Sequence, residues 1–239
     1  MSEKQMRARL YEAYASDHAG VDDGVAVGLV ARRDIVPHLP PDHDARVVDV
    51  GCGQGGLVRE LLKAGYHRAE GIDVSPEQVA LAQAQGLSQV RLGDLHTLLA
   101  EGDESWDAVV ATDVLEHLDK EEVLHTFDSV ARGLRPGGVF IARVPNAGSP
   151  FGGSIRYGDF THETWFTERS IRQLANAAGF GEVTALPCRP IAHGFKSGLR
   201  VAVWRGFESA MKVAYAAETG VLRGAILTQN LTFVARMPV

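Results

Sequence analysis

Residues 47–58 read VVDVGCGQGGLV. Apolar and β-branched positions, interrupted by Asp49, run into glycines at 51, 53, 55 and 56. This is the pattern of a strand, a tight turn and the first residues of a helix, built around a small ligand. Two spacings overlap in it. Gly51, Gly53 and Gly56 fit G-x-G-x-x-G, whereas Gly51, Gly53 and Gly55, with Asp49 two residues ahead, fit D-x-G-x-G-x-G.

The rhythm continues outward from this stretch. Strands are expected at 46–50, 69–73, 89–92, 106–111, 138–144, 182–187 and 230–238, and helices at 57–64, 76–85, 95–100, 121–133 and 168–178. "SPEQ" at 75–78 makes a sound helix start, with Ser75 as N-cap, Pro76 at the first helical position and Gln78 completing a capping box. Strands alternating with helices of this length imply βαβ units and a mostly parallel, doubly wound α/β sheet. Ahead of it, 1–20 and 23–36 read as helices, the second stopping before Pro37. The expected division is therefore an N-terminal helical cap or lid over 1–45 and a domain over 46–239.

Two segments break the alternation. Residues 146–167 are rich in Gly, Ser, aromatic and polar residues and follow a strand, at the end of an open α/β sheet where ligands bind. They form the candidate substrate loop. Residues 197–216 form an inserted helix before the last strand. Its face of Leu199, Val203, Phe207, Ala210, Met211 and Ala214 is expected to pack on the sheet or on a neighbouring chain, as in a homodimer.

Composition sets limits on function. A chain of 239 residues with 45% hydrophobic and 23% charged residues can bury one substantial core and is not a disordered type. With a net charge of -6 and no run of Lys and Arg, bulk attraction to nucleic acid or an anionic membrane is not expected. Cys52 and Cys188 are the only cysteines, so a disulfide framework or Cys-rich zinc site is excluded and a reducing, cytoplasmic compartment is expected. No apolar run reaches the length of a membrane span.

The ligand of the glycine turn follows from charge. Asp73, ending the second strand, suits two ribose hydroxyls, which a dinucleotide and a nucleoside share. Asp49 does discriminate: a carboxylate beside the turn repels a pyrophosphate but can hold a cationic ligand through its ammonium group. Asp94, in "RLGDL" at 91–95, lies where an adenine amino group would be, with Leu95 packing on the ring. Asp94 can also cap the helix that starts at Leu95.

The stretches "VVDVGCGQGGLV", "GIDVS", "RLGDL", "WDAVVATDVLEHL" and "LRPGGVFIARVPN" resemble, in order and spacing, the motifs of class I S-adenosylmethionine-dependent methyltransferases. The resemblance implies a Rossmann-like, seven-stranded sheet whose last strand is antiparallel, with S-adenosylmethionine as cofactor and S-adenosylhomocysteine as product. It assigns Asp49, Gly51, Gly53 and Gly55 to the methionine-side loop and Asp73 to the ribose. Asp94 and Leu95 take the adenine, and the backbone around Asp113 the methionyl end. The 144–174 region, with V-P-N, T-H-E and "FTERSIRQL", is similar to bacterial small-molecule methyltransferases of polysaccharide and glycan biosynthesis, and more distantly to quinone-biosynthesis O-methyltransferases.

What remains for the protein is to align an acceptor and, for a hydroxyl, to remove its proton. His162 is the preferred general base and His117 the second. Glu116, Asn146, Tyr157, Asp159 and Glu163 are the candidate substrate contacts, with Phe160, Trp165 and Phe166 as aromatic walls. A saccharide hydroxyl is the leading acceptor; a quinol, a phenol or an amino-sugar amine is the alternative, and an NAD-binding oxidoreductase or nucleotide sensor is the reading from another class. The fourth strand is followed by "TDVLEH" and not N-P-P-Y, which speaks against a nucleobase acceptor. Asp113, Glu116, Asp159 and Glu163 could offer oxygens to Mg²⁺, but no spacing specifies a site and no metal is expected. The N-terminal segment could bring Tyr11, Tyr14 or His18 over the cofactor as a lid.

Overall fold

The computed structural model describes residues 24–100, 105–220 and 224–239, with side-chain detail from residue 26 onward and none for residue 100. The helix and lid expected over 1–20 lie outside the described residues. Elements are numbered from the first one described: α1 (Gly24–Val30), β1 (Val47–Val50), α2 (Gly56–Lys63), β2 (Ala69–Asp73), α3 (Pro76–Ala84), β3 (Val90–Leu92), α4 (Leu95–Ala100), β4 (Trp106–Thr112), α5 (Lys120–Gly133), β5 (Leu134–Pro145), α6 (Gly152–Arg156), α7 (Glu168–Ala177), β6 (Glu182–Pro187), α8 (Phe195–Thr219) and β7 (Asn230–Arg236).

The seven strands form one sheet in the order β3-β2-β1-β4-β5-β7-β6. β7 runs antiparallel to both β5 and β6, and the other recorded pairings are parallel. The order reverses direction between β1 and β4, which opens a crevice at the carboxyl ends of those two strands. The glycine turn and the segment after β4 both lie at that crevice.

Alternation along the strands divides the core between the two faces of the sheet. In β5, Phe140, Ala142 and Val144 join one cluster, and Val139 and Ile141 the other. Phe127 of α5, Phe140 and Phe233 centre the first cluster, with ring centroids 5.2–5.7 Å apart. Ile35, Leu61 and Val110 belong to the second.

Three expectations are revised. The helix over 23–36 is α1 followed by a wide π turn at Ala31–Ile35 and a 3-10 turn at Val36–His38, which takes in Pro37. β5 begins at Leu134, opposite Trp106, and the register shifts before Val139 pairs with Ala108. "RPGG" at 135–138 thus sits inside the strand as an irregularity and not ahead of it. Finally, the inserted helix does not pack its expected face on the sheet of its own chain: Leu199 and Val203 are 61% and 66% exposed, and of the two expected partners only a neighbouring chain remains for that face. The covered side is instead Ser197, Val201, Trp204 and Glu208, again at helical spacing. A polar anchor explains the rotation. Arg189 donates to both carboxylate oxygens of Glu208 at 2.9 and 3.0 Å, and Lys212 Nζ lies 2.8 Å from Glu208 Oε1.

The glycine turn settles which glycines the chain needs. Gly51, Gly53 and Gly55 all have positive φ (68°, 52° and 73°), whereas Gly56 opens α2 and is not among the positive-φ residues. The D-x-G-x-G-x-G spacing is therefore the one the backbone uses. Alanine at Gly86, where a Cβ would meet nothing within 4 Å, should carry only the left-handed backbone cost, about 1–2 kcal/mol. At Gly55 the added methyl would lie 2.7 Å from Leu87 Cδ1 and 2.8 Å from Val90 Cγ2, adding about 1–3 kcal/mol of overpacking. Urea unfolding should accordingly place G55A below G86A by about 1 kcal/mol or more; equal stabilities would contradict the packing of the turn against β3.

Candidate active site

The turn, β2 and the segment after β4 enclose a cleft of about 270 Å³. Gly51, Gly53, Asp73, Asp94, Leu95, Asp113 and His117 line it, together with Ile72, Val74, Gln78 and Val114. Asp73 organises its floor: Oδ2 accepts from the Gly53 N–H at 2.8 Å and Oδ1 from the Ser75 N–H at 2.8 Å. Each carboxylate oxygen keeps a second lone pair for a ligand hydroxyl. Asp94 caps α4, with Oδ1 accepting from the His96 and Thr97 N–H groups at 2.9 and 3.1 Å. That capping uses one oxygen only; among the described residues Oδ2 receives no protein donor.

Gln78 contributes to the cleft through an unmet acceptor. Ser75 Oγ accepts from the Gln78 N–H at 3.4 Å, but the reciprocal bond of the expected capping box is absent. Gln78 Oε1 is buried without a hydrogen-bond partner. A Cβ on Gly53 would meet this oxygen, at 3.9 Å, and nothing closer. Apolar walls, three carboxylates and an unpaired amide oxygen make a cleft fit for a nucleoside with several donors.

Asp49 is 3% exposed on β1 and is not among the side chains lining the cleft. Burial, then the charge of Asp73, pushes its pKa well above the usual carboxylate range. A cationic group nearby would offset that cost. Asp113 is the only non-glycine residue with positive φ (56°) among those described. Its N–H donates to the Arg143 carbonyl at 3.0 Å, and its carboxylate accepts from Arg143 Nε at 3.0 Å.

Beyond the cleft, Glu116, His117 and His162 come together, with candidate ligand atoms within 4.8 Å of one another. The two imidazoles meet edge to face at 4.8 Å. Thr161 Oγ1 donates its one proton to Asp159 Oδ1 at 2.6 Å and lies 2.8 Å from His117 Nδ1. The ring nitrogen must then donate to Thr161, which leaves Nε2 as the acceptor nitrogen of the neutral imidazole. Burial, followed by the neighbouring His162, lowers the His117 pKa to about 4. Glu116 is buried with Oε2 unpartnered, and burial followed by the Asp113 charge raises its pKa well above the carboxylate range.

Comparison with known proteins now bears on this geometry. Residues 29–185 match the family described as "Methyltransferase domain". The chain belongs to that family. It is 34% identical over 119 residues to a ubiquinone biosynthesis O-methyltransferase of Xylella fastidiosa, a stretch that is 47% of each chain, so it matches about half the length of that relative. An O-methyltransferase of Penicillium expansum is 28% identical over 183 residues, 72% of this chain and 64% of that one. Among solved structures, an S-adenosylmethionine-dependent methyltransferase of Archaeoglobus fulgidus superposes with a TM-score of 0.68 at 19% identity, covering 93% of this chain and 98% of that one. The fold is that of class I S-adenosylmethionine-dependent methyltransferases.

Within this methyltransferase domain the substrate loop departs from its reading as an aromatic pocket. Tyr157 and Phe160 are 83% and 80% exposed, while Phe166 is in the core. Asn146 is spent on structure: Nδ2 donates to the Ile226 and Thr228 carbonyls, each at 2.8 Å, and Oδ1 accepts from the Gly148 N–H. Glu163 is exposed; its N–H donates to the Glu116 carbonyl at 2.7 Å, fastening the loop to the segment after β4. His162 anchors the loop as well, with Nδ1 3.0 Å from the Ile155 carbonyl. Of the two candidate bases, His117 lines the cleft and His162 does not. Thr161 escaped the sequence reading although D-x-T is a legible turn signal: Asp159 Oδ1 also accepts from the Thr161 N–H at 2.8 Å. Arg143 escaped it too, though an arginine inside "VFIARVP" is out of place in a buried strand.

The His117 shift has a stability consequence. The folded pKa lies below the unfolded value of about 6.5, so its contribution is present above pH 6.5 and lost as pH falls toward 4. Over that window the unfolding free energy of the wild type should drop more steeply than that of His117→Gln. Parallel curves would mean that His117 is not held neutral.

Proposed function

We propose that this chain is an S-adenosylmethionine-dependent O-methyltransferase that acts on a hydroxyl of a small molecule, with His117 as general base. The carrying observation is the run of contacts from His117 Nδ1 through Thr161 Oγ1 to Asp159 Oδ1, which orients an imidazole that lines the cleft. The names of the relatives support O-methylation.

When bound, the cofactor supplies an activated methyl group. Asp73 receives ribose hydroxyls on its remaining lone pairs, and Asp94 Oδ2 receives the adenine amino group beside Leu95. Gly51 and Gly53 let the backbone approach the methionyl portion, with the main chain around Asp113 opposite. Asp49 lies behind the turn, where its buried carboxylate favours a cationic ligand over a pyrophosphate. His117 Nε2 takes the acceptor's proton, and the resulting imidazolium is stabilised through Thr161 by Asp159, whose charge raises the His117 pKa. Glu116, next to the same imidazole, is buried, and burial pushes its carboxyl toward the protonated form.

The basicity of His117 bears on the acceptor. A base depressed to about 4 is ill matched to an aliphatic alcohol but closer to a phenolic hydroxyl, with a pKa of about 10. A phenol or quinol is therefore favoured over the saccharide hydroxyl that the loop suggested. A second reading comes from the same residues: Glu116, His117 and His162 could hold a divalent cation that orients the hydroxyl.

The test is methyl transfer to catechol, with and without a chelator. His117→Ala should lower kcat roughly a hundredfold or more, whereas His162→Ala should act mainly through KM. Full activity of His117→Ala would end the base assignment. Loss of activity with the chelator, restored by Mg²⁺ or Zn²⁺, would select the cation reading instead.

A further inference from the structure

A second cavity, of about 420 Å³, lies at the same carboxyl end of the sheet, between α1, the segment after β6 and α8. Arg143 joins it to the cleft. The guanidinium lines this cavity, while its Nε and Nη2 are paired with Asp113, which lines the cleft. A molecule seated here and reaching past that pair would bring its other end to the cofactor cleft.

The lining is rich in donors. Arg33, Arg143, Arg189 and Arg200 contribute to it, and Asp34 is the one carboxylate among the described lining residues. Asp34 is held by Arg33 through both oxygens at 2.6 Å. The other carboxylates at the walls are accounted for in the same way: Asp113 by Arg143, and Glu208 by Arg189 and Lys212. Arg200 has no carboxylate partner among the described residues. Trp204, also in the lining, has its indole Nε1–H buried with no acceptor. A buried donor without an acceptor points to a ligand that brings one. Phe151 and Phe207 stand against Trp204, with centroids 6.2 and 5.6 Å away, and add an apolar wall.

Resting on the methyl-transfer reading, we propose that this cavity binds a phosphoryl group of the acceptor, gripped by Arg200 and Trp204 with the spare N–H groups of Arg143 and Arg189. Donors from three elements, β5, the segment after β6 and α8, line the one cavity. That suits a tetrahedral phosphate with three outer oxygens better than a planar carboxylate with two. The acceptor is then a phosphorylated hydroxyl compound, and the enzyme acting before methylation is one that leaves or installs a phosphate on it.

Calorimetric titration of the purified chain with phenyl phosphate, phenol, benzoate and inorganic pyrophosphate tests this. Phenyl phosphate should bind roughly tenfold to a hundredfold tighter than phenol, and pyrophosphate should compete with it. Arg200→Gln and Trp204→Phe, one at an exposed position and one keeping its aromatic ring, should each bring the ratio down severalfold with circular dichroism unchanged. Equal affinity for phenol and phenyl phosphate, or a preference that survives both substitutions, would overturn the proposal. Benzoate binding as tightly as phenyl phosphate would overturn the phosphoryl assignment in favour of a carboxylate. S-adenosylhomocysteine titrated in parallel keeps the two readings apart: if it fails to bind, the methyl-transfer reading falls and the acceptor role with it, whereas if it binds while the anions do not, only the cavity assignment falls.

Discussion

The carboxylate of Asp73 is where the cleft is assembled. Its two oxygens take the Gly53 and Ser75 N–H groups, tying the turn after β1 to the segment after β2. Those N–H groups would otherwise be exposed donors at strand ends, and a bond to a charged acceptor is stronger than one to a neutral carbonyl. The turn can reach Asp73 only with Gly51, Gly53 and Gly55 in left-handed conformations. Space restricts it further: a Cβ on Gly51 would stand 2.5 Å from Val114 Cγ2, so the segment after β4 packs directly on the turn. One carboxylate and three glycines thus set the floor and one wall of the cleft before any ligand is considered.

The sequence told most about the elements that obey a period. The βαβ alternation follows from apolar spacing and turn residues, the seven strands with an antiparallel last one were what the resemblance implied, and each expected element among the described residues lies within a few residues of its place. The three aspartates expected near the cofactor, Asp73, Asp94 and Asp113, line one cleft because each stands at or just beyond the carboxyl end of a strand. The region 146–167 was not. Its side chains are placed by tertiary hydrogen bonds, such as those from Asn146 to the Ile226 and Thr228 carbonyls, between residues about eighty positions apart. Local pattern holds no information about such partners, and an aromatic cluster in sequence became two exposed rings, one half-buried ring and one core ring. α8 shows the same limit: its apolar stripe was read correctly as helical, but a buried carboxylate with two cationic partners decided which side turns inward.

The histidines show how environment sorts two like residues into different roles. His162 is half-buried and its Nδ1 is engaged by a main-chain carbonyl, so it holds the loop. His117 is 8% exposed, faces the cleft, and is oriented through a threonine hydroxyl by a carboxylate. Burial costs it basicity, and Asp159 returns part of what burial removes. Near Glu116 the same burial acts in the opposite sense on charge, favouring the protonated carboxyl. Burial thus favours the neutral form of both neighbours, the imidazole by lowering its pKa and the carboxyl by raising it.

Arg143 connects this chemistry to the second cavity, and its position explains a backbone feature that would otherwise be costly. Asp113 sits at φ 56°, a region that Asp tolerates better than most residues but that still disfavours it. Three contacts to one partner over-determine that conformation: a main-chain bond to the Arg143 carbonyl and two contacts to its guanidinium. Burial alone would lower the Arg143 pKa, yet Asp113 more than compensates and raises it, so the pair stays ionised on the wall between cleft and cavity. A neutral substitute at either position would release the strained segment that carries Glu116 and His117 three and four residues further on. The residue that lines the second cavity therefore also holds the segment carrying Glu116 and His117 in place, and the two cannot vary independently.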